Sequence, residues 1–384
     1  LAVAAVVAYH AWPATVPGGW LGVSLFFTLS GYLITTILIR DHEATRASMA
    51  TFWVRRARRL LPAAIVALLG ALVATAAVDA DSLRRVAGDA LASLLYVQNW
   101  REAAAPGGYE AIFDTGLRPL AHMWSLAIEE QVYVVLPLAV LWLGAGRALL
   151  AGAALALGGT IVWWGSPDAY YATPVRLTEV LAGAGLAWWV GSGRAVRVPI
   201  VAPLLGAALL VGGVTTLTES SGWVSRGVLP AAALASTLVI AGVTERDVRM
   251  LGLPALTWLG NRSYAIYLAH WPLLVLTDLH PVAVVGLTLL VAEASHRLLE
   301  WPIRSGRWIR SQVGPSFAAL STLAAAVAAV ALFVAPVPAS DAAVAESTAA
   351  ALAAQVAPAE PAPAERVVED PGPASTAPEV VVED

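Results

Sequence analysis

The feature that most constrains this chain is a series of apolar runs, each long enough to cross a bilayer as a helix. A hydrocarbon core of roughly 30 Å takes about 20 mostly apolar residues per helix. Residues 20–39, 60–78, 124–143, 148–165, 175–191, 200–217, 228–243, 256–276, 282–299 and 315–335 qualify. Residues 1–13 read as the remainder of one more span. The chain opens on Leu1 with no initiator methionine or basic flank, so this end is expected to be a fragment edge and not a signal peptide. The fold class is all-α: a polytopic transmembrane helical bundle of about ten core spans, one extra span and a disordered tail. With 58% hydrophobic and 13% charged residues, the chain lies far from the soluble mix of about 25% charged.

Charge sets the expected orientation. If 40–59 is cytoplasmic, that side receives Arg40, Arg46, Arg55, Arg56, Arg58 and Arg59, followed by the arginines at 147, 194, 197, 246, 249, 304, 307 and 310. The other side receives Arg84, Arg85, Arg101 and Arg118 in one long segment, then Arg176, Arg226 and Arg366. Residues 82–100 are helical in pattern, with Leu83, Val86, Ala90, Leu94 and Val97 on one face and Arg84, Arg85 and Asp89 off it. Such a helix is expected at the interface or re-entering, because a span here would invert everything downstream. The Ala/Pro/Glu-rich tail holds nine of the 27 acids and lacks aromatics, so it reads as an extended extracytoplasmic linker. The expected division is 1–312 for the membrane domain, 313–336 for the extra helix and 337–384 for the linker.

Ionisable groups inside a bilayer cost at least about 2.5–3.5 kcal/mol each, so they face a cavity or a partner. Three groups stand out. His10, before Trp12 and Pro13, is either a histidine bonded to a backbone carbonyl or a proton acceptor suited to neutral pH. In Arg55-Arg56-Ala57-Arg58-Arg59, Arg56 and Arg59 share a helix face. They form either a positive-inside anchor or a pair of guanidinium forks for phosphate. In His122–Tyr133, Glu129 and Glu130 point about 100° apart, so they are not equivalent. One is expected to face inward as a catalytic group and the other to serve as an ion-pair or capping partner. Zero cysteines exclude a thiol nucleophile and disulfides. Nothing resembles a P-loop, a dinucleotide fingerprint, a zinc helix or a nucleic-acid surface, and no metal is expected.

Six blocks occur in one order: Tyr9-His10, GGWLGVSLFFTLSGYLIT (18–35), FWVRRARRLLPA (52–63), HMWSLAIEEQVYVVLP (122–137), GNRSYAIYLAHWPLL (260–274) and HRLLEWPIR (296–304). In these blocks the chain resembles the acyltransferase 3 family of membrane O-acyltransferases that modify bacterial surface polysaccharides and lipopolysaccharide. The resemblance implies a plasma-membrane enzyme taking acetyl from cytoplasmic acetyl-CoA, or another acyl-CoA. The acceptor would be a hydroxyl of an extracytoplasmic glycan or lipid-linked glycan. It implies His10 as the essential first-helix histidine, acting as base or acyl carrier with Glu129 or Glu130 orienting it, and Arg56 and Arg59 as holders of the CoA phosphates. Ser30, His122, Trp124, Ser125, Tyr133, Tyr264, Tyr267 and His270 match as substrate or structural candidates. Members also carry an arginine about three turns before the histidine, upstream of Leu1 here, and Ser24 replaces a common aspartate. An eleventh span with a linker is expected to lead to an SGNH-type domain outside. The alternatives are a transporter, which predicts inverted repeats not found in the sequence, and a passive membrane anchor.

Overall fold

The computed structural model describes residues 1–40, 46–104, 117–219, 222–304 and 327. All regular structure among them is helical. The helices are α1 (Ala2–Ala11), α2 (Leu21–Arg40), α3 (Arg46–Val78), α4 (Leu83–Leu94), α5 (Gln98–Ala103) and α6 (Met123–Leu143). They continue with α7 (Ala145–Val162), α8 (Thr173–Gly191), α9 (Val201–Thr216), α10 (Val228–Glu245), α11 (Pro254–Leu276) and α12 (Pro281–Ser295). A π-helical turn, His296–Glu300, follows α12.

Six helical stretches are long and apolar enough to cross a membrane: α2, Thr51–Val78 of α3, α6, α7, α10 and Pro281–Ile303. The chain is a multi-pass membrane protein. α1 and α9 are apolar but shorter. α8 and α11 have the length but are interrupted by Arg176 and Glu179 in one and by Arg262 in the other. The expected run 315–335 and the tail lie outside the described residues.

Close backbone approach holds the site-bearing helices together. α2 crosses α8 where Gly31 lies against the Val180 carbonyl and Gly183 against the Thr28 carbonyl; a Cβ at either glycine would enter the opposing backbone. Gly19 and Gly22, one turn apart, let the start of α2 lie on α1 against Ala5, Tyr9 and Ala2. α1 is thereby held between α2 and α11. α6 packs on α2, α5 and α7, and α3 packs on α4 and α11.

The segment after α3 does not span. α4 is about 18 Å long, too short for the hydrocarbon core, and Tyr96 with φ 56° turns the chain into α5. Val86 and Ala90 are buried as expected, but Asp89 is buried too. The hydrophobic period missed its partners. Arg101 Nε donates to Asp89 at 2.6 Å and Arg118 Nη2 to Glu102 at 2.7 Å, with Arg118 also 3.7 Å from Asp89. Burial pushes the Glu102 carboxyl up to about 7 against the pull of Arg118, with Asp89 adding to the rise. Trp271 Nε1 donates to the Arg118 carbonyl at 2.9 Å, tying this knot to α11.

Candidate active site

One face of α6 organises the polar interior. His122, at its N-cap, is followed by Ser125, Glu129 and Tyr133 at spacings of three and four, so these side chains form a stripe about 16 Å long. All four are buried. The stripe carries two clusters.

The first cluster is made of imidazoles and aromatic rings. His10 Nδ1 lies 3.0 Å from His270 Nε2. His270 Nδ1 lies 2.6 Å from the Tyr267 carbonyl. The His122 ring sits 5.5 Å from that of His270, edge to face. Tyr267 bridges back to α6, its hydroxyl 2.5 Å from Ser125 Oγ and 2.9 Å from the His122 carbonyl. Trp271 packs on His10 with ring centroids 4.6 Å apart. His122 and His270 are buried, whereas His10 is half-buried and lines a cavity with Trp20, Trp124, Tyr170 and Tyr267.

The second cluster is charged and closed on itself. Arg56 donates to Glu130 from Nη2 at 2.7 Å and from Nε at 3.1 Å, and lies 3.6 Å from Glu129. Its guanidinium stacks on the Tyr133 ring, 3.0 Å from the centroid. Ser30 of α2 donates to Glu129 at 2.5 Å, and Tyr133 hydrogen-bonds to both Glu129 and Ser30. The two carboxylates are inequivalent, as their angular offset requires: Glu129 faces inward and Glu130 serves as the ion-pair partner.

One sequence expectation needs correction here. Neither carboxylate orients His10; its hydrogen-bond partner is His270, 260 positions away. Arg56 and Arg59 share a helix face but make different contacts. Arg56 turns inward onto Glu130 and Glu129, while Arg59 remains exposed. Trp124 serves as a cavity wall, and Tyr264 donates to the Leu60 carbonyl at 3.0 Å.

The two clusters border the outer two of a row of three small cavities, of about 20, 30 and 20 Å³. The first is bounded by His10, His122 and Tyr267, the second by Ala2, Ser125, Ser263, Tyr264 and Tyr267, and the third by Leu61, Met123, Tyr264 and Glu130. Tyr267 is shared by the first and second, and Tyr264 by the second and third. Their order follows α6 forward, from His122 to Glu130, and α11 backward, from Tyr267 to Tyr264.

A residue of this interior escaped the sequence reading. Arg176, counted there among loop charges, lies in the first turn of α8 with 0% exposure. Its Nε is 3.2 Å from Glu179, and the rings of Phe27, Trp124 and Tyr170 surround it at 4.9–5.4 Å. The signal was an Arg-x-x-Glu spacing inside an apolar run, which puts both charges on one face. Arg262 of α11 pairs with Glu293 of α12, Nη2 to Oε1 3.1 Å.

A family model described as an acyltransferase domain matches residues 1–291. The chain belongs to the acyltransferase 3 family. Among curated members, the peptidoglycan O-acetyltransferase OatA of Listeria monocytogenes is 33% identical over 347 residues, 80% of this chain and 55% of that protein. The putative peptidoglycan O-acetyltransferase YrhL of Bacillus subtilis is 34% identical over 339 residues, 79% of this chain and 53% of its own length. A putative O-acetyltransferase of Staphylococcus aureus is 30% identical over 344 residues, covering 79% and 56%. The chain thus spans about half the length of the curated relatives it matches. No solved structure matches it. Membership in the acyltransferase 3 family rests on a region that includes His10, Arg56, Glu129, Glu130 and His270.

Proposed function

We propose that this chain is the membrane part of an O-acetyltransferase of the plasma membrane. It takes acetyl from acetyl-CoA on the arginine-rich, cytoplasmic side and delivers it to a hydroxyl of a glycan such as peptidoglycan on the other. The observation that carries this reading is the row of small cavities that runs from Glu130, the ion-pair partner of Arg56, to His10. Ten core spans, an additional helix at 313–336 and an extracytoplasmic tail at 337–384 belong to the same proposal.

At the inner end, the guanidinium forks of Arg56 and Arg59 suit the phosphate oxygens of the donor. Arg56 is held by Glu130, and a donor phosphate takes the carboxylate's place on the guanidinium. The donor's acyl arm then follows the cavities past Tyr264 and Tyr267. At the outer end, His10 accepts the proton of the acceptor hydroxyl as its oxygen attacks the thioester carbonyl. The carbon–sulfur bond breaks, and the proton passes from His10 to the departing sulfur, leaving an ester and free CoA. A positioned base of this kind contributes about 10²–10⁴-fold.

The test is binding of acetyl-CoA to the purified full-length protein. Saturable binding that Arg59→Ala weakens at least about tenfold, a loss of one charge-assisted contact, supports the donor site, and the exposed position of Arg59 keeps folding out of the comparison. Absence of binding by a folded protein overturns the reading and favours a transporter.

A further inference from the structure

We propose that His270 is a positioning residue. It locks His10 in the tautomer that carries its proton on Nδ1 and leaves Nε2 as the reacting nitrogen. The reaction it serves rests on the function proposed above; the tautomer does not.

The argument runs along three atoms. The Tyr267 carbonyl can only accept a hydrogen bond, so its 2.6 Å contact fixes a proton on His270 Nδ1. A neutral imidazole has one such proton, so His270 Nε2 presents a lone pair. That atom lies 3.0 Å from His10 Nδ1, which must therefore donate. The single proton of neutral His10 is thereby committed to Nδ1, and Nε2 is left with a lone pair. A backbone carbonyl thus determines, through one ring, which nitrogen of the next ring can react.

Burial assigns the two roles. His270 has 0% exposure and does not line the cavity, whereas His10 is half-buried and does. His270 therefore reaches substrate only through His10. The stacked rings, 5.2 Å apart and 28° from parallel, and Trp271, with its ring 4.6 Å from that of His10, keep the imidazole from rotating away. The titratable groups around the pair are Tyr9 of α1, His122 at the start of α6, Tyr267 of α11 and Tyr170 ahead of α8. No carboxylate contacts either ring among the described residues. The lock is a neutral counterpart of the carboxylate that orients a catalytic histidine in hydrolytic triads. When His10 takes the substrate proton on Nε2, its Nδ1–H still points at His270.

Two measurements test the lock. In full-length protein labelled with ¹⁵N-histidine in lipid, the His10 signal, assigned by subtracting a His10→Asn spectrum, is expected to show a protonated Nδ1 and a bare Nε2. A protonated Nε2 with a bare Nδ1 overturns the proposal. Acetyl transfer in proteoliposomes supplies the second. His270→Leu is expected to lower kcat by about 100-fold or more, the order lost when a catalytic histidine takes the wrong tautomer, with KM for acetyl-CoA little changed. His270→Gln, whose amide oxygen can accept from His10 Nδ1, is expected to recover most of that loss. His270→Glu is expected to move the acidic limb of the rate profile upward by about one pH unit or more, because an anion now faces His10. A folded His270→Gln protein as slow as His270→Leu overturns the lock. A bare Nε2 in a protein that transfers no acetyl keeps the lock and sinks the transferase reading.

Discussion

The imidazole cluster around His10 and the carboxylate cluster around Arg56 hang from the same face of α6, yet they solve opposite problems. Around Arg56, charge meets charge: Glu130, Glu129, Ser30 and Tyr133 leave the guanidinium bracketed by oxygen and by a ring. Around His10, no carboxylate takes part among the described residues, and a ring nitrogen is left for chemistry. The difference teaches that in an apolar interior the densest charge is not where reactivity resides. Ion pairs are kept there because each partner makes the other tolerable, and what remains able to react is the neutral group with one uncommitted lone pair.

The sharpest way to break this comparison is to exchange the effects of the two clusters. His10→Ala is expected to reduce acetyl transfer by about 10²–10⁴-fold, while Glu129→Gln stays within about tenfold of wild type; labelled-acetyl assays in proteoliposomes read both. The converse applies to stability. Arg56→Ala strands two carboxylates and is expected to cost about 3–5 kcal/mol, seen as a lower unfolding midpoint in detergent. Replacing both partners, Arg56→Met with Glu130→Met, is expected to return most of it. An Arg56→Ala protein as stable as wild type would mean that the charged cluster is held by something other than its own pairing.

Smaller effects sharpen the boundary between the clusters. Tyr267→Phe removes the bridge to Ser125 and to the His122 carbonyl and is expected to cost about 1 kcal/mol, measurable by thermal denaturation. Farther out, Glu102 supplies a pH signature. Its carboxyl is raised from 4.5 to about 7 in the folded state, chiefly by burial. The folded chain therefore holds this proton more tightly than the unfolded chain. The stabilisation is fully present below about 4.5 and lost as pH rises through about 7. Denaturation midpoints across that window should fall with pH, and Glu102→Gln should flatten the trend.

Much of this was legible in the sequence, for physical reasons. Lipid forces helices of a fixed length, so the apolar runs fall close to α2, α6, α7, α8, α9, α10 and α11. The cost of charge in lipid made His10 and the Glu129–Glu130 pair conspicuous, and helical geometry alone required the two acids to point in different directions. What escaped depends on partners distant in the chain. His10 meets His270 only because α1 packs on α11, and nothing local to either residue encodes that meeting. Arg56 and Arg59 share a face by period, but Glu130 from another helix selects one of them. Arg176 was counted as a loop charge because a cation near a helix start is usually solvated; here Glu179 and three aromatic rings enclose it.

The account stands most directly on the claim that the two clusters are the ends of one path. Ser263 lines the middle cavity and is only partly buried, so Ser263→Trp would block that cavity. The measurement is acetyl-CoA binding and acetyl transfer by the full-length Ser263→Trp protein in proteoliposomes, side by side with wild type. The account predicts donor binding at the Arg56 end with transfer to the acceptor abolished. Transfer at the wild-type rate through a blocked middle cavity would contradict it.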